Sequence, residues 1–155
     1  MIGWLFIIAL AVFVVDIVIK QAIEERIQLS EERKIFGGAV LIRKVYNKGA
    51  MLNLLHKYPK IVKLFSAVCG FFLVLYDIIL CCRKGSWFAK GGMAFFTGGA
   101  WSNIYDRLVR GKVIDYFGFR TKWPKVTKIT FNLGDLFIFL GAFMVSLAEI
   151  FRWKR

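Results

Sequence analysis

Two of the chain's ten acidic residues, Asp115 in "KVIDYFGF" and Asp135 in "FNLGD", stand beside long apolar runs with no basic residue adjacent. Two carboxylates in a semi-dry site do not both ionise readily. Desolvation and like charge push one pKa up, so one acid keeps its proton while its partner serves as base. Such a pair can activate a water against an amide carbonyl without a metal or a covalent nucleophile. Asp115 and Asp135 are therefore the candidate catalytic residues, and Asp106, with Arg107 directly beside it, reads as a structural acid. A plainer role competes for any single aspartate at the end of an apolar run, and Asp135 could be only a helix cap. Other reagents are scarce. His56 is the single histidine, and Cys69, Cys81 and Cys82 show no CxxC or Cys/His spacing. No metal, cofactor or thiol–imidazole nucleophile is expected, and the cysteines read as small packing residues.

The elements that must position these carboxylates are membrane spans. The 155 residues are 58% hydrophobic and 17% aromatic, with a mean hydropathy of +0.59, too apolar for an ordinary soluble domain. A hydrocarbon core about 30 Å thick needs about 20 apolar residues per helix. Four stretches qualify, at about Ile2–Ile23, Ile61–Cys82, Phe88–Val109 and Phe131–Phe151. The expected fold is a mainly α membrane protein with four transmembrane helices and one domain over residues 1–155. The first stretch has no basic n-region and no A-x-A site, and reads as a retained span rather than a signal peptide.

Alternation of four spans puts both termini on one face and the loops Glu24–Lys60 and Arg110–Thr130 on the other. It also gathers Asp16, Lys20, Asn103, Asp106, Arg107, Asn132 and Asp135 into one layer on the loop side. Charges at membrane depth are costly, so they face the bundle interior, pair, or line a wet cavity. Asp16 and Lys20 are i and i+4 and can pair; Asn103, Asp106 and Arg107 form one helical stripe. Ala94, Gly98 and Ser102 recur every four residues as a small-xxx-small ridge that permits close helix approach. Asp77, at the other face, reads as a pair partner of Arg83 and Lys84. In the loops, Ala39–Asn47 and Val126–Phe131 read as strands, with "KVIDYFGF" a possible third, so a small β-sheet sits over the polar layer. Met51–Pro59 has an apolar stripe suited to a short interfacial helix.

The formal charge of +13 comes from residues flanking spans. Attraction to anionic lipid headgroups, about 1 kcal/mol per juxtamembrane cation, accounts for it more simply than nucleic acid does. A positive-inside count alone would put the two loops in the cytoplasm.

In these motifs the sequence resembles the lipoprotein signal peptidase (signal peptidase II) family. Asp16 and Lys20 match a first-span D-Q-x-x-K, "NKGA" (Asn47–Ala50) an N-x-G-A, and "FNLGD" (Phe131–Asp135) an F-N-x-A-D. "NIYDRLVRGKVIDY" fits N-x-x-D-R-x-x-x-G-x-V-x-D-[FY] without a gap at seven fixed positions, the most specific of the four. The resemblance implies a bacterial inner-membrane aspartic endopeptidase acting on lipid-modified prolipoproteins, with Asp115 and Asp135 as its dyad. It further implies supporting roles for Asn47, Asn103, Asp106, Arg107, Asn132, Asp16 and Lys20, with cytoplasmic termini and an extracytoplasmic sheet. The expected partners are that substrate and membrane lipids, with no nucleic acid, and the chain is expected to be a monomer. Ile17, Gly134 and Met51–Asn53 depart from the family pattern, Gly134 loosening a helix start by about 1 kcal/mol relative to alanine. A non-catalytic relative that binds lipoproteins or lipids is the alternative.

Overall fold

The structure, a computed structural model, describes residues 3–49, 54–85 and 87–153. In chain order it contains α1 (Gly3–Arg26), β1 (Glu32–Ile35), a 3-10 turn (Phe36–Gly38), β2 (Val40–Asn47), α2 (Pro59–Cys82) and α3 (Trp87–Tyr105). A π-helical turn (Asp106–Arg110), β3 (Val113–Phe119), the short α4 (Pro124–Thr127) and α5 (Leu133–Trp153) complete it. Among the described residues, α1, α2 and α5 are the three helices long and apolar enough to cross a membrane. At 1.5 Å per residue, the 24 residues of α1 or α2 reach about 36 Å, beyond the hydrocarbon thickness.

The third expected span takes a different form. Its regular α-helix stops at Tyr105, and the next five residues wind more widely, ending at Gly111 in the left-handed region (φ 71°). α3 packs against α1, α2 and α5 and is the most enclosed of the long helices, with Ala89–Ala94 buried without a break. Its glycines permit this. A Cβ on Gly98 would lie 2.5 Å from the Ala9 carbonyl oxygen of α1. On the α5 side, a Cβ on Gly99 would strike the Gly134 carbonyl, and one on Gly141 would strike that of Gly92. The two Gly–Gly crossings lie seven residues apart on each antiparallel helix, so backbone meets backbone along the seam.

The sheet is antiparallel in the order β1-β2-β3, pairing Val45 with Asp115 and Asn47 with Val113 and carrying an irregularity between Ile42 and Val45. The expected strands at Ala39–Asn47 and "KVIDYFGF" are therefore present. The one at Val126–Phe131 is not. Pro124 opens a helical turn, Arg43 Nη2 takes the Thr127 and Ile129 carbonyls at 2.7 and 3.1 Å, and only Phe131 bridges to Phe117. A half-buried guanidinium has consumed the acceptors that a ladder would need. The expected helix at Met51–Pro59 falls partly outside the described residues; Leu54–Lys57 form turns, and α2 begins at Pro59.

Candidate active site

Along β3, successive side chains leave on opposite faces, and this alternation divides the polar layer in two. Asp115 points into a cavity of about 860 Å³ between α2, α3 and α5, whereas Tyr116 points toward α1. The cavity is also lined by Asn47, Asn103, Arg107 and Asp135, and by the apolar side chains of Phe65, Phe72, Phe96 and Phe139.

One amide connects the two candidate carboxylates. Asn132 Nδ2 donates to Asp115 Oδ1 at 2.7 Å, while the Asn132 backbone N–H donates to Asp135 Oδ2 at 3.2 Å. Asn132 Oδ1 in turn accepts the Asp135 N–H at 2.9 Å, closing a reciprocal capping box at the start of α5. The cap expected as the plain alternative for Asp135 is thus present, but it engages only one oxygen. The other, Oδ1, accepts from Asn103 Nδ2 at 2.9 Å. Asp115 Oδ2 accepts from Asn47 Nδ2 at 3.2 Å. Burial, and then the charge of Asp135, push the Asp115 carboxyl up to about 6 against the opposing pull of these amide donors.

Behind the carboxylates lies a second, closed network. Lys20 Nζ, fully buried, sits 2.8 Å from Asp16 Oδ2, 3.1 Å from Asp106 Oδ2, 3.0 Å from Ser102 Oγ and 2.9 Å from Asn103 Oδ1. The last contact fixes the Asn103 amide so that its NH₂ faces Asp135. Arg110 pairs with Asp106 Oδ1 at 2.9 Å, so two buried anions meet two cations. Tyr116 joins the two networks: its hydroxyl donates to Asp16 Oδ1 at 3.0 Å and accepts the Leu133 N–H at 2.9 Å. Burial and the Asp16 charge hold that phenol well above its ordinary range.

Eight of the nine expected site residues fall in these two networks, and the ninth, Arg107, lines the cavity beside them. Two pairings differ from expectation. Asp106 is held by Lys20 and Arg110, not by Arg107, because consecutive helical residues face different ways and Arg107 turns to the Gly49 and Asn103 carbonyls, at 3.3 and 3.5 Å. Asp77 accepts from Thr97 Oγ1 at 2.8 Å, and among the described residues it pairs with neither Arg83 nor Lys84. Tyr116 and Ser102 were not expected as site residues. Ser102 shows in sequence only as a small residue, and the strand alternation that aims Tyr116 at Asp16 was the signal available for it.

Residues 8–151 match the family model described as signal peptidase (SPase) II. The chain belongs to the signal peptidase II family. A lipoprotein signal peptidase of Mesorhizobium japonicum is 32% identical over 148 residues, covering 96% of this chain and 86% of that protein. Lipoprotein signal peptidases of Brucella ovis and Brucella canis are 34% identical over 154 residues, covering 97% of this chain and 91% of theirs. Two solved chains, each titled a bacterial membrane enzyme, superpose with TM-scores of 0.84 and 0.81 at 19% and 20% identity. They cover 97% and 96% of this chain and, respectively, 89% and 94% of their own length, so the fold is shared almost end to end. Family membership and the apolar helices make this a multi-pass membrane protein and a signal peptidase.

Proposed function

We propose that the protein is an intramembrane aspartic endopeptidase that removes signal peptides from diacylglyceryl-modified prolipoproteins. The observation that carries this reading is Asn132 donating to both Asp115 and Asp135 at the wall of one largely apolar cavity. On this reading one acid is protonated and the other ionised. The ionised carboxylate takes a proton from water as its oxygen attacks the scissile carbonyl, and the protonated one donates to the carbonyl oxygen. Collapse of that intermediate breaks the C–N bond, with the proton passing to the leaving amine. Asn47, Asn103 and Asn132 hold the carboxylates, Arg107 faces the peptide, and Asp16, Lys20 and Asp106 brace the layer behind.

The same reading makes α3 a fourth span, its polarity tolerated because neighbouring helices enclose it. The whole chain is then one domain and a monomer in the bacterial inner membrane, with cytoplasmic termini and the sheet and cavity at the outer face. The relatives' name, lipoprotein signal peptidase, supports the substrate class. The test is cleavage of a lipidated prolipoprotein in detergent by the wild-type protein, Asp115→Asn and Asp135→Asn. Each variant is expected to lose about 10³-fold or more in rate, the scale of a lost acid or base. Full activity in either removes that residue from the dyad. Lipopeptide binding by the wild type without turnover would instead favour the non-catalytic reading.

A further inference from the structure

A second, smaller hollow of about 120 Å³ opens where the start of α2 meets the π turn, and its rim is strongly basic. Lys48, Lys60, Lys63 and Arg107 all line it, together with Val62 and Gly111 and with no carboxylate. Among the described residues none of the four cations is in an ion pair; Lys63 Nζ reaches the Leu108 carbonyl at 2.7 Å, and the buried Nε of Arg107 has no hydrogen-bond partner. Lys60 and Lys63 also occupy the first turns of α2, where the helix dipole disfavours cations and favours an anion. No acid in that turn and no side-chain cap offsets them. The charges of Asp135, Asp115 and Asp106 reach Arg107 from the cavity side, but none of these acids lines the hollow, so the cations around its rim repel one another unless an anion lies among them.

We propose that this hollow binds the phosphate group of an anionic phospholipid. Phosphate is the chemistry that matches several lysines and an arginine around a cup of this size. The lipid source follows from depth. Exposed Leu54, Leu55 and Tyr58 lead directly into α2, a long apolar helix, so the start of α2 lies at the headgroup level. Val62 and Arg107 line both this hollow and the large cavity, so the bound phosphate occupies the rim of the candidate active site. The proposal holds whether or not Asp115 and Asp135 cleave a peptide.

The test uses the full-length protein in neutral detergent micelles, titrated with phosphatidylglycerol or with phosphatidylcholine and followed by native mass spectrometry. Phosphatidylglycerol is expected to bind preferentially. Lys48→Gln/Lys60→Gln alters two exposed side chains and is expected to weaken binding roughly fivefold per cation removed, about twenty-fivefold in all. Lys122→Gln/Lys125→Gln, which removes the same charge from an exposed loop elsewhere, is expected to leave it unchanged. Equal weakening by both double variants would reduce the effect to overall charge and overturn the site. So would undiminished binding by Lys48→Gln/Lys60→Gln. Displacement of phosphatidylglycerol by inorganic phosphate at comparable concentration would assign the hollow to free phosphate and overturn the lipid source.

Discussion

Asp115 is raised by two effects of the same sign, burial and the facing Asp135, and its pH behaviour follows. Its folded value of about 6 lies above its ordinary 3.8, so between these values the folded protein binds more protons than the unfolded chain. Stability is then expected to fall as pH rises across that window and to level off above it, measured as the unfolding midpoint in detergent. Asp115→Asn is expected to flatten that slope, and, if Asp115 holds the dyad's proton, wild-type cleavage declines as pH passes about 6. Lys20 gives a harsher outcome. Lys20→Met strands Asp16 beside Asp106 in a fully buried site and is expected to cost about 3–5 kcal/mol, read from denaturant unfolding. Sequence spacing was sufficient to pair Asp16 with Lys20, because one helical turn does so locally. The same i,i+4 spacing joins Asp106 to Arg110, a pairing that the basic neighbour Arg107, directly beside Asp106 in sequence, obscured. Asp77 escaped for a different reason, since its Thr97 partner lies on the next helix and no local spacing reports it.

Among the elements, α3 and α5 depend on each other most closely. Gly99→Ala drives a methyl into the Gly134 carbonyl and is expected to destabilise by about 1–3 kcal/mol. Gly3→Ala, whose Cβ would meet nothing within 4 Å, serves as the control in the same unfolding measurement. The same seam gives Gly134 a role opposite to a loosened helix start. A Cβ there would lie 2.9 Å from Asp16 Oδ2, 3.0 Å from Asn132 Oδ1 and 3.0 Å from the Gly99 carbonyl, so alanine would crowd the cap that holds Asp135. The long apolar helices and two of the strands were legible because periodicity and β-branching are local signals. β1 was not, since "ERKI" is short, charged and exposed on all four residues, its pairing with β2 being set by tertiary contact. The false strand at Val126–Phe131 shows the converse, a good local pattern overridden by one arginine from β2.

At the scale of the molecule, the family was legible because its spaced motifs run in order along the chain, and alternation of spans was enough to expect their polar side chains at one end. The cavity itself was not legible, because helix separation depends on which glycines face which helix. Its outer wall belongs to α2, whose Phe65 and Phe72 line the opening and are mostly exposed, as is Phe139 across from them on α5. On the function proposed above those faces meet acyl chains rather than water, which makes the opening lateral. A ligand arriving sideways is counted per lipid, not per litre. Adding inert lipid or detergent at fixed total substrate is therefore expected to lower the cleavage rate, and raising substrate and lipid together to leave fractional saturation unchanged. A kinetic series varying mole fraction and bulk concentration separately checks this, and the apparent KM of such a site is a surface density.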